Sequence, residues 1–191
     1  MRFGDMAFKI NPYSGTLSEK NFWVVEALDG RKRGRIPCGT RHAAVLIPLY
    51  EKDGALYVVL TKRTDSVAHH KGQISFPGGV CEDGDMNLEA TALREAFEEI
   101  RIRPRDVKIL GMLDDVETHS SEYVVTAVVG LIPSAYCFTL NRDEVESVIE
   151  VPVESLYEMA DVNGMEYLHE AHRIWGLTAS ILKQLLDLRT N

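Results

Sequence analysis

Two neighbouring stretches decide how this chain folds: Ser75-Phe76-Pro77-Gly78-Gly79, and Thr91-Ala92-Leu93-Arg94-Glu95-Ala96-Phe97-Glu98-Glu99. The first is a short strand, Gln73 to Phe76, that runs into a glycine pair. The second lies in a helix of roughly Asn87 to Ile100, stopped by Pro104. At about 100° per residue, Leu93, Ala96, Phe97 and Ile100 form one apolar stripe able to pack on a sheet. Glu95, Glu98 and Glu99 are expected on the opposite side, with Glu95 and Glu99 one turn apart. Like charges at this spacing cost roughly 0.2–0.5 kcal/mol per pair. A divalent cation removes that penalty, because hard ions such as Mg²⁺ take carboxylate oxygens. Taken alone, the acidic face is better read as an ordinary solvated helix surface with Arg94 as counter-ion. The glycines ahead of it shift the balance, since their backbone can come close to a metal or a phosphate.

Outward from this pair, strand signals dominate. Ala43 to Leu49 and Leu56 to Leu60 are apolar runs separated by Glu51-Lys52-Asp53-Gly54, which makes a hairpin. Val107 to Leu113, Tyr123 to Ile132 and Val145 to Val151 are further strands; Val153 to Met159 and Leu177 to Leu188 are helices. Phe22 to Ala27 reads as a strand, Asp29-Gly30 as a hairpin turn, and Trp175 as a core residue. Arg31-Lys32-Arg33-Gly34-Arg35 is a basic cluster, either a solvated loop or a phosphate-contacting one. Strands flanked by a few helices imply an α/β sandwich with a mixed sheet.

Composition narrows the function. The 191 residues suit one globular domain, and 45% hydrophobic with 26% charged residues excludes disorder. A net charge of −8 argues against a nucleic-acid partner, while leaving room for a phosphorylated small molecule whose charge a cation balances. No apolar run is long enough for a signal peptide or a membrane span. Cys38, Cys81 and Cys137 are odd in number and lack a CxxC, as expected of a reduced, cytoplasmic protein.

The two opening stretches resemble the signature of the Nudix hydrolases, G-x5-E-x7-R-E-U-x-E-E-x-G-U with U aliphatic. Gly79 matches the first glycine, Arg94-Glu95 the central pair, Glu98-Glu99 the acidic pair, and Ala96 and Ile102 the aliphatic places. Asp85 stands for the first glutamate, one residue further than usual from Arg94, and Arg101 replaces the last glycine. The longer spacer is similar to the coenzyme A branch of the family. So are Leu60-Thr61-Lys62-Arg63-Thr64, Gly72-Gln73-Ile74-Ser75-Phe76-Pro77-Gly78-Gly79, Gly111-Met112-Leu113-Asp114-Asp115, Asp143-Glu144-Val145 and Ile174-Trp175-Gly176-Leu177-Thr178-Ala179. Ala68 departs from that branch, which has an arginine there. The resemblance covers about Ala43 to Leu188; residues 1–40 are an N-terminal extension expected to pack on a Nudix domain of residues 41–191.

The resemblance implies an α/β/α sandwich with a mixed central sheet, and hydrolysis of a diphosphate linkage with Mg²⁺ or Mn²⁺. The substrate would be coenzyme A or acyl-coenzyme A, yielding 3′,5′-ADP and (acyl-)4′-phosphopantetheine. Rivals are another nucleoside diphosphate derivative, such as ADP-ribose or a dinucleotide, and a nucleotide-binding protein of the same fold without catalysis. Glu95, Glu98 and Glu99 are the expected metal ligands, and Arg94 orients them by charge-assisted hydrogen bonds. Glu95, Glu98, Arg94 and Glu144 form the catalytic set, with Glu144 as the base from outside the signature and Glu117 and His119 as its rivals. Arg63, His70, Gly78 and Gly79 are the substrate-binding set, with His69 and Lys71 nearby. The expected partner is a small nucleotide, with neither nucleic acid nor membrane, and a homodimer is one form of assembly.

Overall fold

The computed structural model describes residues 16–36, 41–65, 72–118, 123–160 and 165–190. Ala68, His69, His70, Lys71, Cys38 and His119 lie outside them.

In chain order the elements are α1 (Trp23–Leu28), β1 (Arg41–Lys52), β2 (Ala55–Arg63), β3 (Ile74–Ser75), β4 (Gly78–Val80), α2 (Leu88–Ile100), β5 (Lys108–Met112), β6 (Val116–Glu117), β7 (Tyr123–Leu131), β8 (Val145–Pro152), α3 (Val153–Met159), β9 (Glu166–His169), β10 (His172–Trp175) and α4 (Leu177–Asp187). The main sheet runs β3-β2-β1-β7-β5, with β8 also on β2, β6 on β7 and β4 on β1. It is mixed: β1 and β7 are parallel and its other pairings antiparallel. One edge of β1 meets β7, while the other is shared, first by β4 through Ala43–Val45 and then by β2 through Leu49–Lys52.

Strand periodicity of two sends alternate residues to opposite faces, and each face has its own core. Ile47, Leu49, Val58, Leu60, Val125, Ala127 and Val129 pack with Val24 and Leu28 of α1, Leu156 of α3, and Ile181, Leu182 and Leu185 of α4. Ala44, Leu46, Val59 and Val128 face the other way, against Ala92, Ala96 and Ile100 of α2. Helices cover both faces, so the architecture is the expected α/β/α sandwich.

Local expectations fail where short range misleads. Phe22 to Ala27 is not a strand: the inward residues are Val24 and Leu28, spaced i, i+4 on a helix whose β-branched valines mimic strand composition. Asp29-Gly30 closes that helix, with Gly30 at φ 66°, and is no hairpin turn. Trp175 is not a core residue but 49% exposed, because in the β9–β10 hairpin Ile174 takes the inward position. The basic cluster is a loop in which Lys32 and Arg35 are exposed and the other two arginines are tied down. Arg31 pairs with Asp114 at 2.8 Å and Arg33 with Asp115 at 3.3 Å, strapping the N-terminal segment to the domain.

Candidate active site

The glycine pair does not end a strand; it forms one. Gly78 and Gly79 stand in β4 opposite Val45 and Ala44 of β1. A Cβ on Gly78 would lie 2.6 Å from the Val45 Cα, and one on Gly79 would collide with the Glu95 carboxylate, 2.6 Å from its Cδ. Gly78 is thus required for close approach to the β1 backbone rather than for a turn, while at Gly79 any larger residue would push the Glu95 carboxylate aside.

Helix α2 starts at Asn87, whose side chain accepts from the Ala90 N–H at 2.8 Å, a standard N-terminal cap. Its buried residues are Thr91, Ala92, Ala96, Glu99 and Ile100. The apolar stripe is therefore rotated from the expected one. Phe97 is 40% exposed, and Glu99, expected towards solvent, is 2% exposed. The three glutamates are graded: the Glu98 side chain is half in solvent, Glu95 is mostly covered, and Glu99 is buried beneath β4.

Arg94 organises the acids. Its Nε and Nη2 donate to the two oxygens of Asp85 at 3.1 and 3.0 Å, and Nη1 donates to Glu95 at 2.8 Å and Glu98 at 3.3 Å. Nη2 also donates to the Val80 carbonyl, tying α2 to β4. The Arg94 guanidinium holds Asp85 well below the usual carboxylate range, helped by the Glu82 N–H and the Thr91 hydroxyl. The loop before α2 is thereby clamped to the helix.

Glu99 faces Arg63, with Nη1 at 3.9 Å from its carboxylate. Arg63 ends β2 where the ladder to β8 slips: Lys62 opposes Ser147, but Arg63 opposes Val145. Such a bulge re-aims the side chain at its edge. The Arg63 Nε is buried without a hydrogen-bond partner among the described residues. The slip also brings Glu144 beside Arg63, as Thr64 N–H donates to the Glu144 carbonyl at 2.9 Å.

Burial pushes the Glu99 carboxyl up to about 8; the charges of Glu95 and Glu144 add to this, against Arg63 and the Gly78 N–H. Burial likewise raises Glu95 despite Arg94, with Glu98 and Glu144 adding their repulsion. Glu95, Glu99 and Glu144 thus share one electrostatic site built from α2 and the segment before β8. Among the described residues no three acid, histidine or cysteine side chains already converge as a metal cluster. Glu95 and Glu98 each give an oxygen to Arg94 instead. The donor set nonetheless suits a hard cation: a glutamate whose carboxyl burial pushes up, beside a second covered carboxylate raised by the same cause.

Glu117 lies in β6, on the β7 side of the sheet, and is not among the leading influences on Glu95 or Glu99. Asp85 was legible only as a substitute in the signature; its two-oxygen clamp on Arg94 is the structure's addition. Thr178 also has a role beyond its motif, donating from α4 to the Ile74 carbonyl at 3.0 Å and bracing β3.

Residues 40–171 match the model of the NUDIX domain. The chain belongs to the Nudix family. It is 40% identical over 163 residues to the uncharacterized Nudix hydrolase NudL of Photorhabdus laumondii, covering 79% of this chain and 86% of that protein. Among solved structures it resembles an Ap4A hydrolase binary complex from C. elegans, with a TM-score of 0.57, 16% identity, and coverage of 78% and 98% of the two chains. It also resembles the NUDIX domain of Shewanella oneidensis NrtR complexed with ADP ribose, with a TM-score of 0.55, 16% identity, and coverage of 91% and 97%. These two likenesses show the fold. This Nudix hydrolase is an enzyme of the pyrophosphohydrolase type, acting on a nucleoside diphosphate derivative.

Proposed function

We propose that this Nudix hydrolase cleaves the diphosphate linkage of coenzyme A or acyl-coenzyme A, using Mg²⁺ or Mn²⁺, to 3′,5′-ADP and (acyl-)4′-phosphopantetheine. The observation that carries this reading is Arg63. The Leu60–Thr64 segment that resembles the coenzyme A branch ends in this arginine, whose guanidinium faces Glu99 with a buried, unpartnered Nε. A substrate phosphate would pair with the exposed part of this guanidinium.

Glu95, Glu98 and Glu99 would hold the metal. Held there, a divalent cation would supply positive charge to polarise the phosphoryl oxygens, offset leaving-group charge and acidify water. Arg94 fixes the glutamates in register, and Glu144, at the same electrostatic site, accepts the proton of the attacking water. Water adds to one phosphorus, the bridging P–O bond breaks, and each product leaves as a phosphomonoester.

The test is turnover of coenzyme A, acetyl-coenzyme A, ADP-ribose and dinucleoside polyphosphates with Mg²⁺ or Mn²⁺, products identified by mass. We expect 3′,5′-ADP from coenzyme A, and loss of most of that turnover in Arg63→Gln with a raised KM. Hydrolysis of ADP-ribose or a dinucleotide without that of coenzyme A would reject the substrate while keeping the site.

A further inference from the structure

On the flank of α2 turned away from Glu95 and Glu99, a cleft of about 870 Å³ opens between the helix C-terminus and the segment after β7. Arg101, Arg103 and Arg105 line it, with Phe97, Tyr136 and Thr139. The chain carries a net charge of −8, yet three arginines line this cleft against one lining carboxylate, Asp106. That carboxylate is already engaged, by the Tyr136 hydroxyl at 2.9 Å and by Arg105 at 3.8 Å. Among the described residues neither Arg101 nor Arg103 forms an ion pair.

Backbone strain marks the same place. Arg101 has φ 59° and Ala135 φ 53°, and both line the cleft. A left-handed conformation costs a residue with a Cβ roughly 1 kcal/mol or more, and such outliers gather at functional sites. At Arg101 the strain closes α2: its N–H donates to the Phe97 carbonyl and that of Ile102 to the Ala96 carbonyl. A glycine would make this turn without penalty. Instead an arginine stands there, its guanidinium over the Phe97 ring at 5.0 Å.

We infer that this cleft is a second ligand site, for a small molecule bearing a diphosphate, separate from the reaction centre. The fork of a guanidinium matches phosphate oxygens. Phe97 supplies an exposed aromatic face for the organic part, next to the tilted pair of Tyr136 and Phe138. The inference does not depend on which diphosphate compound the enzyme hydrolyses.

The experiment is calorimetric titration of the metal-free protein with pyrophosphate and, separately, with ADP, at fixed ionic strength. We expect saturable binding, weakened at least about tenfold in Arg103→Gln/Arg105→Gln and in Arg101→Gly, and unchanged in Glu95→Gln/Glu99→Gln. Arg101→Gly removes the charge while relieving the backbone, so its weaker binding could not be blamed on misfolding. Tighter binding of ADP than of pyrophosphate would place the base on Phe97; equal binding would show that the phosphates alone are held. Absence of binding by both anions, or binding lost in the glutamate variant but kept in the arginine variants, would overturn the inference.

Discussion

Arg94 grips Asp85 with two parallel hydrogen bonds, from Nε at 3.1 Å and Nη2 at 3.0 Å. The same guanidinium spends Nη1 on Glu95 and Glu98, so one side chain sets both the loop before α2 and the acids upon it. Asp85→Ala should therefore cost about 2 kcal/mol of stability, the scale of charge-assisted hydrogen bonds left unmade. It should also lower kcat, because Arg94 would be free to shift towards the glutamates. Urea unfolding and steady-state turnover check the two effects; Asp85→Glu, with the charge restored, should recover part of each.

Gly79→Ala puts a methyl group where the Glu95 carboxylate lies. The carboxylate is the far end of a flexible side chain and can swing aside at small cost to the fold, but it is an expected metal ligand. Activity should fall by more than about a hundredfold while the thermal midpoint drops only modestly. A variant with near-normal turnover would show that Glu95 can be repositioned without harm.

Divalent cations should stabilise the metal-free protein, since the site concentrates negative charge at Glu95, Glu98, Glu99 and Glu144. Mg²⁺ or Mn²⁺ at a hundred times its Kd adds about 2.7 kcal/mol by mass action. Glu99→Gln should abolish the rise in thermal midpoint, and with it the turnover. An unchanged rise would move the cation away from Glu99.

Acid sensitivity has a source outside the site. Burial acts to raise the Glu51 carboxyl, but the Asn21 amide and the Ser18 N–H and hydroxyl outweigh it and hold the group below its ordinary value. Stability from such a group is fully present above the unfolded pKa, about 4.3, and is lost as the pH falls through the folded value. Glu51→Gln should lose about 1 kcal/mol at neutral pH and show a flatter decline below pH 4 in pH-resolved urea unfolding. An acid limb identical to that of the unaltered protein would remove Glu51 from the account.

Most of the fold was legible because its long elements carry strong periodicity. β1, β2, β7 and α2 bury regular residue sets, and Asn87 and Pro104 bracket the helix as their chemistry requires. Misjudged elements were short or depended on tertiary context: α1 with six residues, the exposed Trp175, and β4, whose glycines give no strand signal. At the candidate site the residue types were visible but their depth was not. A helical wheel cannot tell that β4 lies over one edge of α2, so Glu99 looked as exposed as Glu98. Nor can it show that Arg63 and Glu144, far apart in sequence, become neighbours across the β2–β8 slip.

That slip makes the site sensitive to counting. The offset exists because the β8 side has one more residue than its partner between Lys62–Ser147 and Arg63–Val145. Amino-acid exchanges in this stretch leave the count intact, so drift in side chains can be tolerated there. Loss of the single codon for Glu146 would let the ladder run regularly, remove the Lys62–Glu146 ion pair and straighten the strand edge beside Arg63. In-frame length changes, more than point substitutions, are what this part of the gene has to avoid.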